Sequence, residues 1–361
     1  MAWSGDFVNK LTWRLKALGA PKVLVLAVLL TIWTEIPSKS WEDTTPFAFV
    51  ETFAGQAEVT RAFRESNYRC ARLDLLYMDG NKDGGSGNPM DLCTPEGMAT
   101  ALATMLRGDW INGWLAHFGL KCSTWTAVNS GTSSRGPCCS IGNMSFPSVR
   151  EGNCLGSRMV LLMMVVVCLN GVITLEQPNS SYFEFYPRFR ELVCMLQKWG
   201  GQTAVHKASW HMWHYGGKTP KPHYAFANSR HIARLNAGKL KGWAKHKKAM
   251  EEHGESHTLV EKYTDSEGRQ RWKGTSKLRG SENYPPAFGK KFVDLFQDLV
   301  ADQRGMPVLP ASIPTTEEIF SSMSFEDNWG EAHMTAVCHY LRSGVHLKIP
   351  DSFRDLLPVK L

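Results

Sequence analysis

The sequence predicts a doubly wound α/β domain, and three observations carry that expectation. Residues 47–53 form an apolar strand-like run that meets Gly55 and then a helix-forming stretch, 58–65. A second strand-like run, 68–75, follows at once and carries Asp74 near its end. Downstream, further strand-like and helical segments alternate, the pattern of a mostly parallel sheet covered by helices.

The length of 361 residues suits one large α/β domain with insertions, or two domains. The chain divides into an N-terminal helical segment (1–46), the α/β domain (47–235), a basic helix and hairpin extension (236–305) and a C-terminal tail (306–361). In the first segment, 10–16 is basic and amphipathic and 23–33 is apolar. That run is too short to cross a bilayer as a helix. A helix packed on the domain is the preferred reading, with a signal peptide or anchor as the alternative. A second apolar run, 159–175, is broken by Asn170-Gly171 and reads as a buried helix followed by a buried strand. No membrane span is favoured.

After Asp74 comes a glycine-rich, acidic loop, 78–88, and then a short third strand or strand end at 89–93. Thr94 and Pro95 are suited to cap and start a helix running to about residue 106. Residues 112–121 form the fourth strand, ending at Cys122. Residues 126–153 read as a long Ser-, Gly-, Asn- and Pro-rich loop, a length usually kept for function. A helix (155–169), a fifth strand (172–176) stopped by Pro178, and another helix (182–199) come next. Two closing strands, 203–215 and 223–228, flank Gly216-Gly217. Beyond residue 235 the pattern gives a basic helix (239–252), a hairpin (257–272) turning at Asp265-Ser-Glu-Gly268, and an amphipathic helix (286–304) with Phe288, Phe292, Leu295, Phe296 and Leu299 on one face. The tail past 306 is proline-rich and weakly patterned.

The bulk numbers narrow the classes. A hydrophobic content of 43% supports a sizeable core. The net charge of +7 concentrates between residues 206 and 291, in a segment that also carries tryptophan. Such a stretch suits nucleic acid, DNA or RNA, or is simply a solvated helix face. Nine scattered cysteines without a C-x-x-C pair exclude a disulfide framework and a zinc signature, and favour a reducing compartment such as nucleus or cytoplasm. No metal site is expected; the histidines 206, 211 and 214 lack ligand spacing.

The strand–Gly–helix opening is the fingerprint of an adenosine-containing ligand, and an acid about 20 residues on is placed for ribose hydroxyls. The loop lacks the G-x-G-x-x-G spacing, and Glu58 stands in the first turn of the helix. A carboxylate there opposes a pyrophosphate. A sugar with a cationic or neutral tail fits better, which points to S-adenosylmethionine.

Ligands of such sheets sit beyond the carboxyl ends of the strands. The residues there, Glu51 to Gly55, Asp74, Asp91, Cys122 and Glu176-Gln177-Pro178, together resemble the class I S-adenosylmethionine-dependent methyltransferases. Within them the chain is most similar to the DNA cytosine-5 methyltransferases and their degenerate retroelement and algal relatives, over residues 47–228. The resemblance implies a Rossmann-like methyltransferase sheet. It implies cofactor contacts from Glu51, Phe53, Ala54, Gly55, Asp74 and Asp91. It makes Cys122 the nucleophile that adds at cytosine C6 and Glu176 the acid at N3. The base would be flipped out, with the loop 126–153 closing over it. Arg135 is then a phosphate contact, and Lys207 and Lys245 belong to a nucleic-acid surface. Lys121 stands where the family keeps proline, and Gln177 where it keeps asparagine; the family's Arg-x-Arg pair is replaced by Val-His-Lys-Ala at 205–208.

Bland readings stand beside these. Cys122 fits a plain buried thiol equally well, Glu176 a partner for backbone amides, and Asp74 a turn cap. Two other functions also remain: an inert nucleic-acid-binding module on the same fold, and a methyltransferase for another acceptor.

Overall fold

A computed structural model describes residues 3–34, 45–77, 88–253, 258–275, 278, 281, 283–325, 328–343 and 347–357. The glycine-rich loop expected at 78–88 lies outside the described residues except for Asn88.

The strands are β1 (Phe49–Thr52), β2 (Cys70–Leu73), β3 (Trp114–Phe118), β4 (Gly171–Pro178), β5 (His206–His211) and β6 (Pro222–Ala227). They form one sheet in the order β2-β1-β3-β4-β6-β5. β1 pairs in parallel with β2 (Phe49 beside Cys70) and with β3 (Phe49 beside Leu115), and β3 with β4 (Trp114 beside Gly171). β6 is antiparallel to both β4 and β5. This is the α/β architecture expected from the sequence, a mostly parallel sheet flanked by helices. The chain leaves β1 to one side to make β2 and crosses back to make β3, so strand order reverses between β1 and β3. At such a switch point the loops after the strands part and leave a crevice.

Each face of the sheet buries its own core. On one, Val50, Ala116, Phe118, Ile173 and Leu175 pack under helices α1 (Gly5–Ala17), α2 (Lys22–Trp33), α4 (Pro95–Met105), α6 (Pro147–Cys168) and α7 (Pro187–Gly200). On the other, Phe49, Leu115, Val172, Trp210 and Ala225 meet α3 (Glu58–Glu65) and α9 (Pro286–Ala301), which contributes the five-residue apolar face read from sequence. Strand alternation sends successive residues to opposite cores. The apolar run 23–33 is α2, buried on every side, and packs on α4 and on α11 (Met334–Arg342). α6 is the one described helix long and apolar enough to span a bilayer, and nearly its whole length is buried in the protein. Asn170, at φ 58°, ends it and starts β4, where Asn170-Gly171 breaks the apolar run.

Three expectations are corrected. Residues 89–93 make turns rather than a strand, because Asp91 folds back on itself: its Oδ1 accepts the Cys93 N–H and its C=O accepts the Thr94 N–H. Thr94 then caps α4 as expected, accepting the Gly97 N–H at 3.0 Å. Gly97 has to be glycine, since a Cβ would lie 1.8 Å from the Asp91 carbonyl oxygen. The stretch 126–153 is not one open loop: α5 (Ser130–Ser133) lies in it, and α6 begins at Pro147, where proline suits the first helical position. The strand read at 203–215 is β5 followed by a 3-10 turn at Met212–Tyr215. The tail is built into the core: α10 (Thr316–Ser321) touches α1, and buried Arg158 on α6 donates to the Ala332 carbonyl at 2.7 Å and to the Leu92 and Thr94 carbonyls at 2.6 and 2.7 Å. In the extension, the basic helix is α8 (Trp243–Glu252) and the hairpin pairs β7 (Val260–Thr264) with β8 (Gln270–Gly274).

Candidate functional site

At the switch point the loops after β1, β2, β3 and β4 enclose a cavity of about 860 Å³. Phe53, Ala54, Gly55, Asp74, Asp91, Cys122 and Glu176 all line it. Leu259 and Val260 of the hairpin and Tyr284, just before α9, close it from outside. The sequence-derived strand-end residues are therefore brought together, apart from Glu51 and Gln177.

The loop after β1 is bent sharply. Phe53, Gly55 and Ala57 all have positive φ, at 60°, 52° and 54°. Left-handed backbone at a non-glycine residue is costly and tends to cluster at ligand clamps. The loop is held by its neighbours: Asp74 Oδ2 accepts the Gly55 N–H at 2.8 Å, and the Tyr77 hydroxyl donates to the Gly55 carbonyl at 2.6 Å. Asp74 Oδ1 accepts the Leu76 N–H at 3.0 Å. Its turn-capping role and its place on the cavity wall thus coexist. Glu58 also lines the cavity, with Arg61 bonded to it at 2.9 and 3.0 Å.

Glu51 does not line the cavity. Two positions from Phe49 on β1, it shares the face under α3 and accepts the backbone N–H and hydroxyl of Thr60 at 2.8 and 2.5 Å. Burial outweighs those bonds and pushes its carboxyl up to about 7.

Glu176 is buried at the end of β4. Its Oε2 accepts the Tyr284 hydroxyl at 2.6 Å, and its Oε1 meets His223 Nδ1 from β6. Burial alone would raise this carboxyl. The charge of His223, the bonds from His223 and Tyr284, and Lys221 nearby outweigh it, and Glu176 lies below its ordinary value. Behind Tyr284 the chain of bonds continues to His117 Nε2 at 3.3 Å and from His117 Nδ1 to Thr174 at 2.9 Å. Burial lowers His117 to about 4, so it is neutral near pH 7. Trp210 stacks on His223, ring centroids 5.9 Å apart.

His223, Lys221, Tyr284 and His117 were not found from sequence. His223 carried a faint signal, a histidine at the head of the strand read at 223–228. Tyr284 carried none, because only the fold returns it to β4.

Other expected site residues lie elsewhere. Arg135 is buried, not facing a phosphate. Its guanidinium donates to the carbonyls of Ser140, Ile141 (3.1 Å) and Val149 (3.2 Å) and to Asn153 Oδ1 (2.9 Å), and stacks on Trp125. It stitches the 126–153 segment together. Lys207 is on the sheet-edge strand β5, paired with Glu184 at 2.6 Å, and Lys245 is exposed on α8; neither lines the cavity. Gln177 faces the opposite core, donating to the Leu120 carbonyl at 2.6 Å and accepting from Ser181 at 2.8 Å. Lys121, also in the wall, pairs with Glu151 at 3.1 Å in solvent. Among the described residues no group of three or more His, Cys, Asp or Glu side chains could hold a metal ion.

Compared with protein-family models, curated proteins and solved structures, the chain matches none.

Proposed function

We propose that this cavity binds S-adenosylmethionine and that the chain transfers its methyl group to an acceptor held beside β4. The observation that carries the reading is convergence: the strained loop 53–57, Asp74, Asp91, Cys122 and Glu176 all wall one cavity at the switch point. Its volume falls in the upper part of the range of about 300–1,000 Å³ typical of ligand pockets, room for a nucleoside and a second molecule. Glu58 supports a cationic ligand over a phosphate, since it adds negative charge where a helix N-terminus would otherwise attract an anion. Asp74 keeps lone pairs for ribose hydroxyls while it caps Gly55 and Leu76.

Cytosine C5 in nucleic acid is the second reading for the acceptor, favoured by Cys122 and Glu176 lining the same cavity. That chemistry uses a thiolate and a protonated carboxyl. The thiol fits. The carboxyl is held in its ionised form by His223 and Tyr284, which weighs against a proton donor to N3.

Calorimetric titration of the full chain with S-adenosylmethionine tests the first reading, with Asp74→Ala alongside. Saturable binding by the wild type that weakens in the variant is expected. Absence of binding by a folded wild type sinks it, and retained nucleic-acid binding would then leave the inert module. Labelled methyl transfer to a DNA or RNA pool that survives Cys122→Ser excludes the C5 route.

A further inference from the structure

Two cysteines that have no task in methyl transfer meet at the edge of the cavity. Cys93 ends the turn that holds Asp91; it is half-buried and lines the cavity. Cys154 is buried on α6, next to Leu155 and one turn from Glu151, both of which line the cavity as well. Both are free cysteines.

The backbone fixes this pairing independently of the sulfurs. Arg158 stands four residues after Cys154 and therefore on the same face of α6. Its Nη1 donates to the carbonyls of Leu92 and Thr94, the residues on either side of Cys93, at 2.6 and 2.7 Å. Cys93 is thus held over the stripe of α6 that carries Cys154. The two thiols are hydrogen-bonded to each other. That bond, with the Arg158 guanidinium nearby, holds Cys154 below the usual thiol range, and the same bond holds Cys93 above it. Hydrogen-bonded sulfurs need only a small approach to reach a disulfide length of about 2.05 Å.

We propose that Cys93 and Cys154 form a peroxide-sensitive dithiol beside the cavity, whose disulfide ties the turn 91–94 to α6 and narrows the cavity. A small peroxide reaches Cys93 through the cavity that Cys93 lines. One of the two sulfurs takes an oxygen from hydrogen peroxide as the O–O bond breaks and water leaves. The second sulfur displaces that oxygen as another water, and one S–S bond replaces two S–H bonds. Two electrons pass from sulfur to peroxide, and both thiol protons end in water. The bridge draws the lining residues Asp91 to Cys93 toward the lining residues of α6, Glu151 and Leu155. In a reducing compartment such a bridge is transient and senses oxidant rather than holding the fold.

The test treats the full chain with graded hydrogen peroxide, alkylates the remaining thiols and weighs the peptides. The peptides holding Cys93 and Cys154 are expected to be joined, and dithiothreitol should part them. Oxidised wild type should melt several degrees higher, as closure of a long loop predicts. Iodoacetamide, entering the cavity, should alkylate its Cys122 several-fold more slowly than in the reduced chain. Cys93→Ser and Cys154→Ser, each with a cooperative melt of its own, should show neither change. A Cys93–Cys154 pair that stays alkylatable at peroxide levels that oxidise the exposed Cys138 and Cys139 overturns the proposal, as does a bridge from Cys93 to Cys122 in place of Cys154. A Cys93–Cys154 bridge that leaves the Cys122 rate unchanged overturns the narrowing.

Discussion

Asp74 reaches across from the end of β2 to take the backbone N–H of Gly55 at 2.8 Å, 19 residues back in the chain. One carboxylate thereby fixes the loop after β1 against the strand beside it. Replacing Asp74 by Ala leaves the N–H groups of Gly55 and Leu76 without their acceptor. Thermal unfolding should report a loss of about 1–3 kcal/mol, alongside weaker binding of S-adenosylmethionine. A variant that loses the ligand at unchanged stability would mean that Asp74 serves the ligand only.

Glu51 sets a pH dependence. Its carboxyl is raised from 4.5 to about 7 by burial, so the folded chain holds this proton over a range where the unfolded chain releases it. The stability this contributes is complete below the ordinary value and is lost as pH rises through about 7. The size is about 3 kcal/mol, from the shift at about 1.4 kcal/mol per unit. Glu51→Gln stays uncharged throughout. Denaturant melts should find the variant gaining relative stability as pH rises from about 4.5 to about 7, with the difference level above that. A constant difference between them across pH would count against a raised Glu51.

Arg135 should behave as a structural residue. Its guanidinium satisfies carbonyls at Ser140, Ile141 and Val149, and Asn153, inside the 126–153 segment. Arg135→Ala is expected to cost about 3 kcal/mol or more, since several buried acceptors lose their donor together. Fluorescence anisotropy with a labelled oligonucleotide should give the same affinity per folded molecule as wild type. A uniform loss of affinity without loss of stability would restore the phosphate-contact role.

Lys121 stands beside Cys122, but its ammonium is exposed and pairs with Glu151. Exposed pairs contribute about 0–1 kcal/mol and are screened by salt. Lys121→Ala should therefore change stability little, and iodoacetamide should alkylate Cys122, read by peptide mass, at a rate within about twofold of wild type at physiological salt. A marked slowing would show that Lys121 activates the thiol.

Much of the scaffold was legible locally. α3 falls on the predicted 58–65, and Thr94 and Pro95 start α4 where capping chemistry placed them. The apolar face of α9 carries the same phenylalanines and leucines read from the 3.6-residue period. The misses have physical causes. Residues 89–93 are apolar enough to read as a strand, but Asp91's self-capping turn competes successfully with sheet pairing. The tail is short of periodic pattern because its helices are brief and draw their stability from α1, α2 and Arg158.

The sequence by itself determined the alternation of elements, the strand-end positions of Asp74, Cys122 and Glu176, and the glycine turn at Gly55, because periodicity, caps and positive φ are written in neighbouring residues. Tertiary structure decided what those residues can do. Glu51 was tied under α3 by its bonds to Thr60 and Arg135 was drawn inside by carbonyls that only the folded segment presents. Glu176 was joined to His223 and Tyr284, 47 and 108 residues further along the chain. The charge and protonation of a buried carboxyl depend on partners that close in space, and no local pattern encodes them.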